Sequence, residues 1–315
     1  MNTKPKISYI NQLAILLGLI GMSFILASLV AAGVWVIATG NSFLSMQKDM
    51  LNPAYANAMR WTQLVAATVM FFVPAVIYAR IVNHQPFKQL GFTSVLSGRQ
   101  FFLVLCIALA ALGLSGSLGT LNEMIPISKE WATKFKAAEE AYNQQVKIIA
   151  KMNSWKEYIF ALVVIALAPA VFEEVLFRGA IQRLLQHWFK NRWVAIIVTS
   201  IIFSAVHFSY YGFLARFALG ILLGLIFYYS RNIWLNIFAH FINNALAVSV
   251  LYSLSLRGEN PDKALEENFP LIYGLVALIL IVLLFIQFKK ECNNIGTNNI
   301  PDGSPETIQN NNPFE

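Results

Sequence analysis

Residues 157–177 read EYIFALVVIALAPAVFEEVLF, with Arg178 following at once. Fifteen apolar side chains run without a charge from Tyr158 to Phe172, and then two carboxylates and a guanidinium arrive within about a turn and a half of helix. The block is about as long as the ~20 residues that cross a hydrocarbon core of about 30 Å. Comparable apolar blocks recur along the chain at 11–38, 61–82, 101–121, 193–211, 213–230, 232–255 and 270–288. Eight spans follow, and the fold class is an all-α polytopic membrane protein. A signal peptide is the competing reading of the first block, but Leu13 to Ala38 far exceeds a secretory core of about 7–15 residues.

Composition agrees. Of 315 residues, 57% are hydrophobic and only 12% charged, against roughly 25% charged in a soluble domain. The net charge of +7 could suggest nucleic acid, yet the basic residues sit in alternate loops. Lys4 and Lys6 precede span one, Arg80, Lys88 and Arg99 follow span two, and Arg178, Arg183, Lys190 and Arg192 follow span four. Arg231, and then Lys289 and Lys290, continue the alternation. Positive charge retained on one side is the cytoplasmic signature, so the expectation is a multi-pass protein of the cell membrane with both termini cytoplasmic. Membrane lipids are its surroundings, and no nucleic-acid partner is expected. The lysines of residues 126–156 oppose this alternation; Glu130, Glu139, Glu140 and Glu157 lie among them.

The chain divides into an N-terminal three-helix region (1–125), a polar helical connector (126–156), a four-helix core (157–255), a loop with the last span (256–290), and a tail (291–315) too poor in apolar residues to fold. Cys106 and Cys292 make an improbable disulfide pair, and Cys106 reads as an inert apolar thiol.

The core holds nearly all the unusual chemistry. Glu174 and Arg178 lie four apart with the acid N-terminal, the favourable order for an ion pair on one helix face. Glu173, rotated by about 100°, is left without its own cation. An unpaired carboxylate in lipid costs at least ~2.5 kcal/mol on insertion scales, so it should face a cavity or a partner. The alternative is a segment already outside the bilayer, with an ordinary juxtamembrane salt bridge. Depth bears on this choice. Glu174 lies 17 residues before Asn191 and His207 lies 16 after it; in a helical hairpin both stand about 25 Å from the turn. His240 and Asn244 form another four-apart pair, within a stripe widened by Asn236, Asn243 and Ser249. A single membrane histidine is often only an interhelical hydrogen-bond donor. Two of them beside a glutamate pair and an asparagine point to one shared site. Pro169 loosens the helix one turn earlier, and Gly220 and Gly224 offer a face for close helix contact.

Glu-Glu-xxx-Arg (173–178), Phe-xxx-His (203–207) and His-xxx-Asn (240–244), in that order on successive spans, resemble the three motifs of the CPBP family. That family comprises the intramembrane CAAX prenyl endopeptidases (type II CAAX proteases) and the Abi-like bacterial proteases. The likeness covers roughly residues 157–255. It implies an intramembrane endopeptidase acting on a membrane-embedded or lipidated protein or peptide, with CAAX-type C-terminal processing as the narrower possibility. By resemblance, Glu173 and His207 activate a water, His240 and Asn244 stabilise the oxyanion, and Glu174 and Arg178 support them, with no cofactor. A zinc-dependent metalloprotease using Glu173, His207 and His240 is the rival, although no HExxH spacing supports it. A non-catalytic immunity or scaffold protein is the reading from another class; it has no need of a complete motif set.

Overall fold

The computed structural model describes residues 7–259 and 270–298. Lys4 and Lys6, the loop residues 260–269 and the tail beyond 298 lie outside them. The described residues form helices and no strands. Besides short turns at Phe43–Ser45, Met46–Asp49 and Pro86–Gln89, these are in chain order α1 (Tyr9–Thr39), α2 (Pro53–Val82), α3 (Gly98–Glu123), α4 (Lys129–Ile149), α5 (Trp155–Phe189), α6 (Arg192–Ala205), α7 (Phe213–Ser230), α8 (Ile233–Leu256) and α9 (Leu271–Asn298). Among the described residues, seven are long and apolar enough to cross a membrane: all but α4 and α6. The protein is therefore an all-α polytopic integral membrane protein. Leu29 and Ile37 of α1 and Leu283 of α9 are among many large apolar side chains left exposed, an apolar belt that water would not tolerate but lipid requires.

The block expected as a full span over 193–211 ends early. Helix α6 has 14 residues and covers about 21 Å. The bonding pattern changes at its end. The His207 Nδ1 lies 2.7 Å from the Phe203 carbonyl, the acceptor a continuing helix would offer to the His207 amide, and that amide bonds Ser204 O instead. Phe208 then takes a left-handed φ of 51°. At the other end the sequence also differs: α9 continues to Asn298 rather than stopping at Lys290.

Helices α2 and α5 are locally widened. Thr68–Phe72 and Leu162–Leu167 are π-helical, and each is followed by a proline at the second residue of the next α-helical stretch, Pro74 and Pro169. A proline ring collides with the carbonyl four residues back; a π turn enlarges the backbone loop there. A third π stretch, Val175–Gln182, has no proline. Within it Gly179 passes so close to residue 90 that a Cβ would meet the Leu90 carbonyl oxygen at 2.8 Å.

Three contacts organise the bundle. Leu16 of α1 packs with Ala75 and Tyr78 of α2 and with Val175, Leu176 and Leu184 of α5. Leu103, Val104 and Ile107 of α3 meet Leu223 and Ile226 of α7, Leu235 and Ala239 of α8 and Phe288 of α9. Helices α6 and α7 approach through Gly220 and Gly224: a Cβ on Gly220 would meet Ser200 Cβ at 2.9 Å, and one on Gly224 would meet Ile196 Cγ2 at 2.9 Å. Gly220→Ala is therefore expected to force these helices apart. We expect a loss of about 1–3 kcal/mol, the usual cost of overpacking, read as a lowered thermal midpoint of the detergent-purified protein.

Candidate active site

Helices α5 to α8 bring their polar residues to one level. The chain reverses between α5 and α6 where the hairpin reading places it: Lys190 adopts φ 51° and the Asn191 side chain caps α6. Arg178, 13 residues before Asn191, then faces Phe203, 12 after it, with the guanidinium carbon 4.5 Å from the ring centroid. The cation–π contact is desolvated and so at the strong end of its range.

Glu174 is the hub. Its side chain and that of Arg178 are fully buried, with Nη1 2.8 Å from Oε1, so the pair is no juxtamembrane surface bridge. Arg178 Nη2 donates to the Gly220 carbonyl at 3.2 Å, which the close α6–α7 packing brings within reach. The same Oε1 accepts from His240 Nδ1 at 2.9 Å, and Oε2 accepts from Asn236 Nδ2 at 3.3 Å. A carboxylate receiving three donors can only accept, so His240 carries its hydrogen on Nδ1. Asn236 also donates to Leu223 O at 2.6 Å.

Glu173 stands apart from this network. Its Oε2 is buried without a hydrogen bond and lies 3.9 Å from His240 Nε2, beyond hydrogen-bond range. The carboxylate that the sequence leaves without a cation thus faces the free nitrogen of an imidazole oriented from behind by its neighbour. Such a support fixes ring orientation and tautomer.

His207 joins through Phe203. The Phe203 ring centroid is 5.1 Å from the His207 ring and 5.9 Å from the His240 ring. Because the Phe203 carbonyl only accepts, Nδ1 of His207 holds its hydrogen and neutral Nε2 keeps a lone pair. Asn244 sits one turn beyond His240, where Asn243 Nδ2 donates to its Oδ1 at 3.4 Å, leaving its Nδ2 free of that contact. Glu173, Glu174, Arg178 and His240 are thus in direct contact or nearly so, His207 is linked through an aromatic ring, and Asn244 extends the stripe. Ser249 serves elsewhere, paired with Tyr158 at 2.8 Å.

Arg216, on the first turn of α7, is the functional candidate that sequence reading passes over. It lies within electrostatic reach of both Glu173 and His207, and its Nη1 is buried without a hydrogen bond. Gly212 makes room for it, since a Cβ there would collide with the guanidinium. An isolated arginine near a span end looks like an ordinary anchor, and only the folded-back turn before α7 reveals its place. Among the described residues, no three His, Cys, Asp or Glu side chains form a group able to hold a metal ion.

Residues 155–246 match the family described as type II CAAX prenyl endopeptidase Rce1-like, so over this stretch the resemblance carried by the three motifs is borne out. The chain is also 32% identical over 126 residues to the uncharacterized protein YpbD of Bacillus subtilis (strain 168), covering 39% of this chain and 59% of that protein. The chain thus spans about three fifths of the length of this relative. No solved structure matches the chain.

The buried pair provides a direct test. Arg178→Met strands the Glu174 charge, and we expect a loss of roughly 3–5 kcal/mol, the cost of breaking a buried ion pair from one side. Adding Glu174→Gln should recover part of that loss, measurable as non-additivity in a double-mutant thermal unfolding cycle.

Proposed function

We propose that the protein is an intramembrane endopeptidase that hydrolyses a peptide bond of a membrane-associated protein or peptide, by a water that Glu173 and His207 activate. The observation that carries this reading is the Glu173 Oε2, buried, without a hydrogen bond and 3.9 Å from an imidazole nitrogen. A structural carboxylate would be expected to find donors, as Glu174 does. The family likeness over residues 155–246 supports proteolysis.

In this mechanism the water oxygen attacks the scissile carbonyl while its proton passes to Glu173, with His207 Nε2 accepting the water's second hydrogen bond. The oxyanion receives hydrogen bonds from His240 Nε2 and Asn244 Nδ2. Donation from His240 Nε2 needs a hydrogen on that nitrogen as well as the one that Nδ1 gives to Glu174. Such donors count for most in a dry site. Collapse of the tetrahedral intermediate breaks the carbon–nitrogen bond, and Glu173 returns its proton to the leaving amine.

The substrate class that fits is a membrane-embedded or lipidated polypeptide, with CAAX-type C-terminal processing as its narrowest form. Alternate basic loops support a cell-membrane location with both termini cytoplasmic, an arrangement in which the short α6 counts as a crossing beside the seven longer helices. Glu173 serves as the base without a metal in this mechanism, since no HExxH spacing supports zinc.

Comparing membrane proteomes of cells carrying wild type or Glu173→Ala should reveal fragments that only the wild type releases. In a purified assay Glu173→Ala or His207→Ala should lower turnover at least ~100-fold, the scale of general-base catalysis, with membrane insertion unchanged. Exhaustive chelation should leave wild-type turnover intact. Equal fragment patterns in both strains would sink the protease reading in favour of a scaffold or immunity role, whereas loss of activity on chelation with recovery on zinc addition would restore the metalloprotease.

A further inference from the structure

Helix α4, the polar connector, touches the turn that carries His207 along one face. Ser209 Oγ donates to Glu139 Oε2 at 2.7 Å and accepts from the Gly212 amide at 3.1 Å. The Phe135 ring stacks on Tyr210, with centroids 4.7 Å apart and planes 3° from parallel. Tyr142 receives the Arg216 guanidinium at 6.0 Å. Phe135, Glu139 and Tyr142 are spaced i, i+4, i+7, a single stripe of the helix. That stripe is fixed at its far end, where buried Arg60 of α2 donates to the carbonyls of Ile149 and Lys151.

The turn needs this support. Phe208, between His207 and Ser209, has φ 51° and a side chain 90% exposed. A bulky residue in the left-handed region persists only where its surroundings impose it, and an exposed ring contributes little to that. The restraint comes from the next residue, Ser209, which is buried.

We propose that Glu139 is a positioning residue for His207: α4 splints the 206–212 turn through Ser209, and so sets where the imidazole stands. The catalytic consequence rests on the reading of His207 as part of the water-activating pair; the splint itself does not. It gives the lysine- and glutamate-rich connector a task in the site.

The test uses full-length protein in detergent, as wild type, Glu139→Ala, Glu139→Gln and Ser209→Ala. Hydrogen–deuterium exchange of residues 206–212 should quicken on the order of tenfold in Glu139→Ala, the scale of one hydrogen bond to a charged acceptor. Glu139→Gln, which keeps an acceptor oxygen, should restore most of the protection. The Glu139→Ala/Ser209→Ala double variant should be no worse than either single one. His207 modification by diethyl pyrocarbonate, followed by mass spectrometry, should shift in step. On an internally quenched apolar peptide, Glu139→Ala should lower kcat on the order of tenfold while KM moves little. Unchanged exchange at 206–212, or an increase spread equally over α4 and α5, overturns the proposal. Failure of the wild type to cleave the peptide counts against the endopeptidase reading, and the exchange and modification results then still decide the splint.

Discussion

A carboxylate with no access to water must collect its donors from the protein, and the core of this molecule is arranged around that requirement at Glu174. Four groups converge on it or on its partner: Arg178 from the same helix, His240 and Asn236 from α8, and the Gly220 carbonyl of α7 through Arg178. Each carries a demand of its own. The arginine needs α7 close, which requires glycine at 220; the imidazole needs its ring fixed, which leaves the opposite nitrogen directed at Glu173. Removing the charge would relax the geometry that gives Glu173 its isolated position.

Two adjacent glutamates thus have opposite fates because a helix turns 100° per residue. Glu174 points into the bundle and is saturated with donors; Glu173 points to the imidazole and has none on Oε2. A paired and an unpaired acid side by side is the kind of environmental split that assigns different roles to identical side chains.

Much of this was legible in the sequence. The apolar blocks declare the spans, the four-residue spacing of Glu174 and Arg178 declares their bond, and equal distances from Asn191 bring the α5 and α6 residues to one height. What escaped reading depends on local backbone competition or on contacts across long separations. The early end of α6 coincides with a histidine ring bonded to a main-chain carbonyl and with a left-handed Phe208, features that hydropathy does not register. The π turns before Pro74 and Pro169 turn an expected loosening into a specific widening. Asn236 looked like one polar residue in a stripe, and its partner Glu174 lies 62 positions away. Arg216 and Glu139 gain their meaning only from the turn between α6 and α7.

The placement of Glu174 and Arg178 on a single helix also bears on biogenesis. Segments leave the ribosome in order, so α5 must partition into lipid before α7 and α8 exist to receive it. An acid and a base one turn apart can neutralise each other from the moment the helix forms, sparing the bilayer two separate naked charges. Had nature put the guanidinium on a later segment, the nascent chain would have had to park an unmatched ion in hydrocarbon until its counterpart was translated.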